Sequence, residues 1–226
     1  MLTSYTRFTD FETGFLQPLA AHRKIQTTPR PLSELKGWEF TEAGTFSSKH
    51  FTIEGRHVEF EPEENNTEPK SWDQPLYSQE SGTLVLAIDE DGFILVKGLF
   101  EPGNARRGYK QQGLVLCTTL KYSAANLERQ RVQGHTPPFA ELLTHEAAEH
   151  LFTIPAPGDG ARADKQNIHS LVRVNRTLLT ARHEALKPLD QSFFALIHKD
   201  VLLECYSHGI SSEHLRDISS LLLFIR

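Results

Sequence analysis

Thr83-Leu84-Val85-Leu86-Ala87-Ile88-Asp89-Glu90-Asp91-Gly92-Phe93-Ile94-Leu95-Val96-Lys97-Gly98-Leu99 is the stretch on which the reading of the fold turns. Two β-prone runs, Thr83 to Ile88 and Phe93 to Leu99, flank Asp89-Glu90-Asp91-Gly92. Asp-Gly supplies the positive-φ positions of a tight turn, so a β-hairpin is predicted here. Downstream, Gly113 to Tyr122 reads as a further strand. Upstream, Trp38 to Phe60 is rich in Phe, Thr, Ile and Val, with Glu54-Gly55-Arg56 read as a turn between two short strands. Phe8, Phe11 and Phe15 recur at helical spacing.

The C-terminal third reads as helical. Phe193, Ile197 and Val201 share one helical face, and that helix stops near Gly209. Ser211 or Ser212 caps a last helix whose buried stripe is Leu215, Ile218, Leu222 and Ile225. Residues 61–69 and 155–160 carry the Pro, Gly, Asn and acidic composition of exposed loops. Strands first and helices later imply an α+β domain on a mixed or antiparallel sheet. A length of 226 residues suits a single domain over 1–226.

The bulk composition narrows the function. A formal charge of -5 provides no basic footprint, so neither nucleic acid nor a membrane surface is expected as a partner. No apolar run approaches the roughly 20 residues needed to cross a bilayer, and the N-terminus lacks the basic-then-apolar order of a secretory signal. Two cysteines, Cys117 and Cys205, make neither a disulfide framework nor a four-cysteine zinc site. The expected location is the cytoplasm.

Several motifs fail on spacing. His145 and His150 frame a stretch that invites a zinc-protease reading, but they are five apart, about 140° around a helix, and one ion does not hold both. That stretch reads as an amphipathic helix with exposed charges. Its faint likeness to the acidic helix of Nudix hydrolases lacks the upstream glycine and glutamate and the Arg-Glu pair. No metal site is therefore predicted. Dinucleotide and ATP cradles and a serine-nucleophile elbow are also missing.

Three stretches taken in order carry a resemblance: Lys49-His50-Phe51-Thr52-Ile53-Glu54-Gly55; Ser71-Trp72-Asp73-Gln74-Pro75-Leu76 with Gln79 and Gly82; and Glu101-Pro102-Gly103-Asn104 with Thr119 and Asn126. Their order and spacing resemble the NDP-4-keto-6-deoxyhexose 2,3-dehydratases of deoxysugar biosynthesis, from about Trp38 to Leu143 and more weakly through the last two helices. The resemblance implies a Nudix-like mixed sheet flanked by helices, without the Nudix metal chemistry. Family members usually consist of two related halves. This chain corresponds to one, so the resemblance implies a homodimer in place of the tandem.

The implied reaction is elimination of water across C2–C3 of the sugar. A C4 ketone acidifies the C3 proton, a base removes it, donors hold the enolate oxygen, and an acid assists the departing hydroxyl. It needs no redox cofactor or metal in principle. The resemblance makes Glu101 a base or a grip on a sugar hydroxyl, and His50 an acid or base. Trp72 becomes a stacking surface, and Gln74, Gln79, Asn104, Thr119 and Asn126 become polar contacts. Gly103 is expected where a side chain would block the backbone shape, and Arg106 in a basic run that meets a diphosphate. The chain departs from the family where Gln-x-Lys-x commonly precedes Glu-Pro-Gly-Asn: Lys97 and Leu99 stand there. It departs again after Thr119, with Lys121 and Tyr122. Lys97 is expected to bind substrate, and Lys121 and Tyr122 to be acid–base groups of an altered site. The alternatives are a related dehydratase or isomerase for another oxygenated metabolite, and a non-catalytic binding subunit.

Overall fold

In the computed structural model the described residues are 2–22, 27–48, 52–60, 70–78, 81–104, 107–123, 127–128, 130, 132–134, 136–143, 148–157 and 166–225. Twelve strands follow one another along the chain: β1 (Ser4–Tyr5), β2 (Trp38–Phe40), β3 (Phe46–Ser48), β4 (Thr52–Phe60), β5 (Lys70–Ser78), β6 (Gly82–Ile88), β7 (Ile94–Phe100), β8 (Leu114–Cys117), β9 (Leu120–Ser123), β10 (Ala148–Pro157), β11 (Gln166–Val174) and β12 (Phe194–Ile197). The helices are α1 (Phe8–Phe11), passing through a π-helical turn (Glu12–Leu16) into α2 (Gln17–His22), then α3 (Arg176–Glu184), α4 (Pro188–Gln191), α5 (Lys199–Ser207) and α6 (Glu213–Ser219).

The chain divides into two compact units. The larger comprises Met1–Thr27, Gly82–Ile154 and Ile168–Arg226; the smaller comprises Thr28–Ser81 and Pro155–Asn167. An eight-stranded mixed sheet runs β1-β12-β7-β6-β11-β10, with β8 on β7 and β9 on β6. β6 pairs antiparallel with β7 and parallel with β11. The predicted hairpin is present, with Gly92 at φ +81° in its turn. β6 is apolar along its length because both faces are covered. Leu84, Leu86 and Ile88 enter a cluster with Phe11, Leu16, Val201 and Leu215, while Val85 and Ala87 enter another with Leu120, Val172 and Leu179. Each fully buried side chain of this kind stabilises by roughly 1.5–3 kcal/mol.

The smaller unit holds an antiparallel sheet, β2-β3-β4-β5. Phe46 is buried there beneath Trp38, whose ring stacks at 5.0 Å. β4 is continuous through Glu54-Gly55-Arg56, so the expected turn is absent. Gly55 pairs with Pro75, which is tolerated because β5 is an edge strand.

Four further expectations are corrected. Gly113 to Tyr122 is not one strand but two, broken at Thr118-Thr119. The C-terminal third is only partly helical, since it contains β10, β11 and β12. Phe194 to Ile197 is a buried strand, and helix α5 begins at Lys199, capped by His198 Nδ1, which accepts from the Asp200 N–H. A short apolar run fits either element, and pairing with β7 decides it. Ala148 to His150 open β10 rather than close a helix, and Pro155–Pro157 extend that strand; 145–147 and 158–160 lie outside the described residues, as do 61–69. Ser212 is the N-cap of α6, accepting from the Leu215 N–H at 3.2 Å, as the sequence predicts. Among the described residues no helix is long and apolar enough to cross a membrane.

Candidate functional site

The hairpin β6–β7 holds together for only two pairs, Ile88↔Ile94 and Ala87↔Leu95. Beyond them it opens as a fork. The segment after β7 returns into the opening: β8 pairs with β7 up to Cys117↔Lys97, and β9 pairs with β6 from Leu120↔Val85. Thr118-Thr119 therefore sits at the crotch. The Thr119 hydroxyl accepts from the Ala87 N–H at 2.9 Å and donates to the Leu95 carbonyl at 2.5 Å. It satisfies the two backbone groups that the parting strands leave unpaired. Thr119 is 1% exposed, and its hydroxyl is engaged within the sheet.

The mouth of this fork gathers polar groups. Lys97 faces Cys117 on β8 and Phe194 on β12, with its ammonium 5.6 Å from the Phe194 ring centroid. Burial pushes the Lys97 ammonium below its usual range, against the opposing pull of Cys117 and Asp190. Glu101 follows β7 and starts the 3₁₀ turn Pro102–Asn104. Its backbone N–H donates to the Gly113 carbonyl at 3.1 Å, and its carbonyl accepts from the Asn104 N–H at 2.9 Å. The carboxylate is held on both sides. Asn104 Nδ2 donates to Oε2 at 2.8 Å, and Cys117 Sγ donates to Oε1 at 3.8 Å. Burial and the Glu101 charge push the Cys117 thiol up to about 11, while Ser212, Lys121 and Lys97 act in the opposite direction.

Gly103 behaves otherwise than expected. Among the described residues a Cβ built there meets no heavy atom within 4 Å, and its φ is not positive, so no left-handed backbone shape requires a glycine. The glycine that the fold does require lies further along the same loop: Gly108 has φ +71°, and a Cβ there would stand 2.3 Å from the Leu114 carbonyl oxygen.

Lys121 and Tyr122 lie on opposite faces of β9. Side chains alternate along β9, so Lys121 is exposed while Tyr122 packs half-buried against the cluster around Leu120. Trp72 and Gln74 belong to β5 of the smaller unit, in register with Val58 and Arg56. His50, Gln79, Arg106 and Asn126 lie outside the described residues. The structure adds Cys117, Ser212 and Asp190. The only sequence signal for Cys117 was its place in a β-prone run, because its register opposite Lys97 depends on the fork.

Among the described residues no group of three metal-ligating side chains occurs. A cavity of about 380 Å³ lies in the larger unit, bounded by Tyr5, Phe15, Leu19, His183, Gln191 and Phe194, the last being the ring that Lys97 faces. None of the expected site residues lines it. Its walls are mainly apolar.

The family model described as NDP-hexose 2,3-dehydratase matches residues 12–187. No curated protein matches the chain.

Proposed function

Because the chain belongs to the NDP-hexose 2,3-dehydratase family, enzymes that dehydrate NDP-sugars, we propose that it eliminates water across C2–C3 of an NDP-4-keto-6-deoxyhexose with Glu101 as the base. The carrying observation is the Glu101 carboxylate, gripped by Asn104 on one oxygen and touched by a neutral thiol on the other. A carboxylate held this way is oriented without being spent in a salt bridge. Glu101 takes the C3 proton, the electron pair moves to the C4 oxygen, and the C2 hydroxyl leaves as water with a proton from an acid. The enol product tautomerises to a 3,4-diketo sugar. Lys97 supplies positive charge toward the developing enolate or the diphosphate, and the nucleotide provides remote binding energy. Open space beside Gly103 supports approach of the sugar to this turn.

The Nudix-like topology, the pairing of two copies and a cytoplasmic location go with this reading. Lys97 and Leu99, standing where the family commonly has the glutamine and lysine of Gln-x-Lys-x, favour a second one: a related dehydration or isomerisation of a different oxygenated metabolite.

The test is direct. Incubation with TDP-4-keto-6-deoxyglucose and a 3-ketoreductase yields a 2-deoxy product, and Glu101→Gln lowers kcat by about a hundredfold or more. If the wild-type protein changes neither the sugar nor releases maltol and free nucleotide, this substrate is wrong. A TDP-induced rise in Tm without turnover then favours a binding role, and no shift with any nucleotide favours the other metabolite.

A further inference from the structure

Glu101 carries two unlike partners, and the difference has a chemical meaning. An amide N–H at 2.8 Å on Oε2 is a strong, short contact to a carboxylate. A thiol at 3.8 Å on Oε1 is a weak one. A strong donor stabilises the charged form and makes the oxygen that it binds less basic, whereas a weak donor leaves basicity nearly intact. The two oxygens of Glu101 are thus inequivalent before any substrate arrives.

Resting on the reading of Glu101 as the base, we propose that Cys117 is its positioning residue: the thiol orients the carboxylate and marks Oε1 as the oxygen that receives the C3 proton, while Asn104 holds Oε2.

The fold fixes Cys117 for this task. Its backbone is paired with Lys97 at the end of β8. The next helix is fastened to the same strand, through the Ser212 N–H, which donates to the Leu116 carbonyl at 2.8 Å. The charged groups that act on Cys117 are Glu101, Lys97 and Lys121. A thiolate here would face the Glu101 carboxylate, and burial opposes it as well, so the sulfur keeps its proton and acts as a donor. A serine hydroxyl in its place would donate more strongly to Oε1. An alanine would remove the donor and release one side of the carboxylate.

Those contrasts define the experiment, made on the full chain with kcat and KM measured separately. Cys117→Ala is expected to lower kcat about tenfold with KM within about twofold. Cys117→Ser, which keeps a donor at this position, is expected to retain the fold and recover part of kcat. Thermal unfolding of both variants separates a packing loss from an effect on the base, because a packing role lowers Tm without a loss confined to kcat that serine recovers. If Glu101→Gln keeps wild-type turnover, the base reading fails and this inference with it. If Glu101→Gln is inactive while both Cys117 variants keep the wild-type kcat, the base reading stands and the role of Cys117 is overturned.

Discussion

At Gly103 the fold and the proposed reaction make different demands. A methyl group added there meets none of the described residues within 4 Å, and the backbone is in a region open to any residue. Gly103→Ala is therefore expected to leave stability unchanged or raise it by about 0.4–1 kcal/mol through the unfolded chain. If the sugar approaches the Pro102–Asn104 turn, the same methyl obstructs it, and KM rises about tenfold or more while kcat changes less. Urea unfolding and steady-state kinetics on one preparation check both halves. An unaltered KM would remove the sugar from this face of the turn. Gly108 is the internal control, because alanine there meets the Leu114 carbonyl and destabilises the loop whatever the ligand.

At the scale of elements, the hairpin was legible because its cues are local: two β-prone runs and an Asp-Gly turn. The fork was not. Leu114 to Tyr122 is β-prone throughout, and nothing in that run marks Thr118-Thr119 as a break. The break exists because β6 and β7 separate after Ala87↔Leu95, and a hydroxyl must satisfy the groups left behind. For the same reason Glu101 and Asn104 could be singled out from their motif, whereas Cys117 could not. Phe193, Ile197 and Val201 kept helical spacing across what proved to be a strand and a helix, since a four-residue apolar run carries no period of its own. The hairpin turn also conceals a tertiary tie. Asp89 is 1% exposed, and its Oδ1 accepts from the N–H groups of Asp91 and Phe93 at 3.0 and 2.8 Å. Its Oδ2 accepts from Arg176 Nε at 2.7 Å, and the guanidinium lies 4.7 Å from the Phe93 ring centroid. One carboxylate thus shapes the turn and anchors the start of α3. Asp89→Ala strips a partly buried guanidinium of its nearer carboxylate, leaving Asp91 at 3.4 Å, and two N–H groups of their acceptor, so a loss of about 3 kcal/mol is expected in chemical denaturation. A loss below about 1 kcal/mol would mean that the turn holds without the tie.

For the molecule as a whole, the acid side of its stability is set by histidines more than by carboxylates near neutrality. His169 and His183 are both buried, on β11 and α3. Burial lowers the pKa of each; Asp217 opposes this at His169, and the bond to the Gln191 carbonyl opposes it at His183. His183 Nε2 donates to that carbonyl at 3.0 Å, so the neutral ring carries its proton there and Nδ1 is bare, with no hydrogen-bond partner. In the unfolded chain both titrate near the ordinary value of about 6.5. Above that pH folded and unfolded states alike hold neutral rings, and their contribution is fully present. As pH falls below it the unfolded chain binds protons that the folded chain refuses, so stability declines. Glu90, held below its usual range by backbone N–H groups, begins to cost stability only at lower pH, as pH falls toward and below the ordinary carboxylate value. Tm is accordingly expected to be level from about pH 8 to 7 and to fall between about pH 6.5 and 5. In a His169→Gln, His183→Gln double variant the absolute Tm drops, but the slope across that window flattens, because neither of the two buried rings remains to be protonated on unfolding. Parallel slopes for the two proteins would assign the acid sensitivity to other groups.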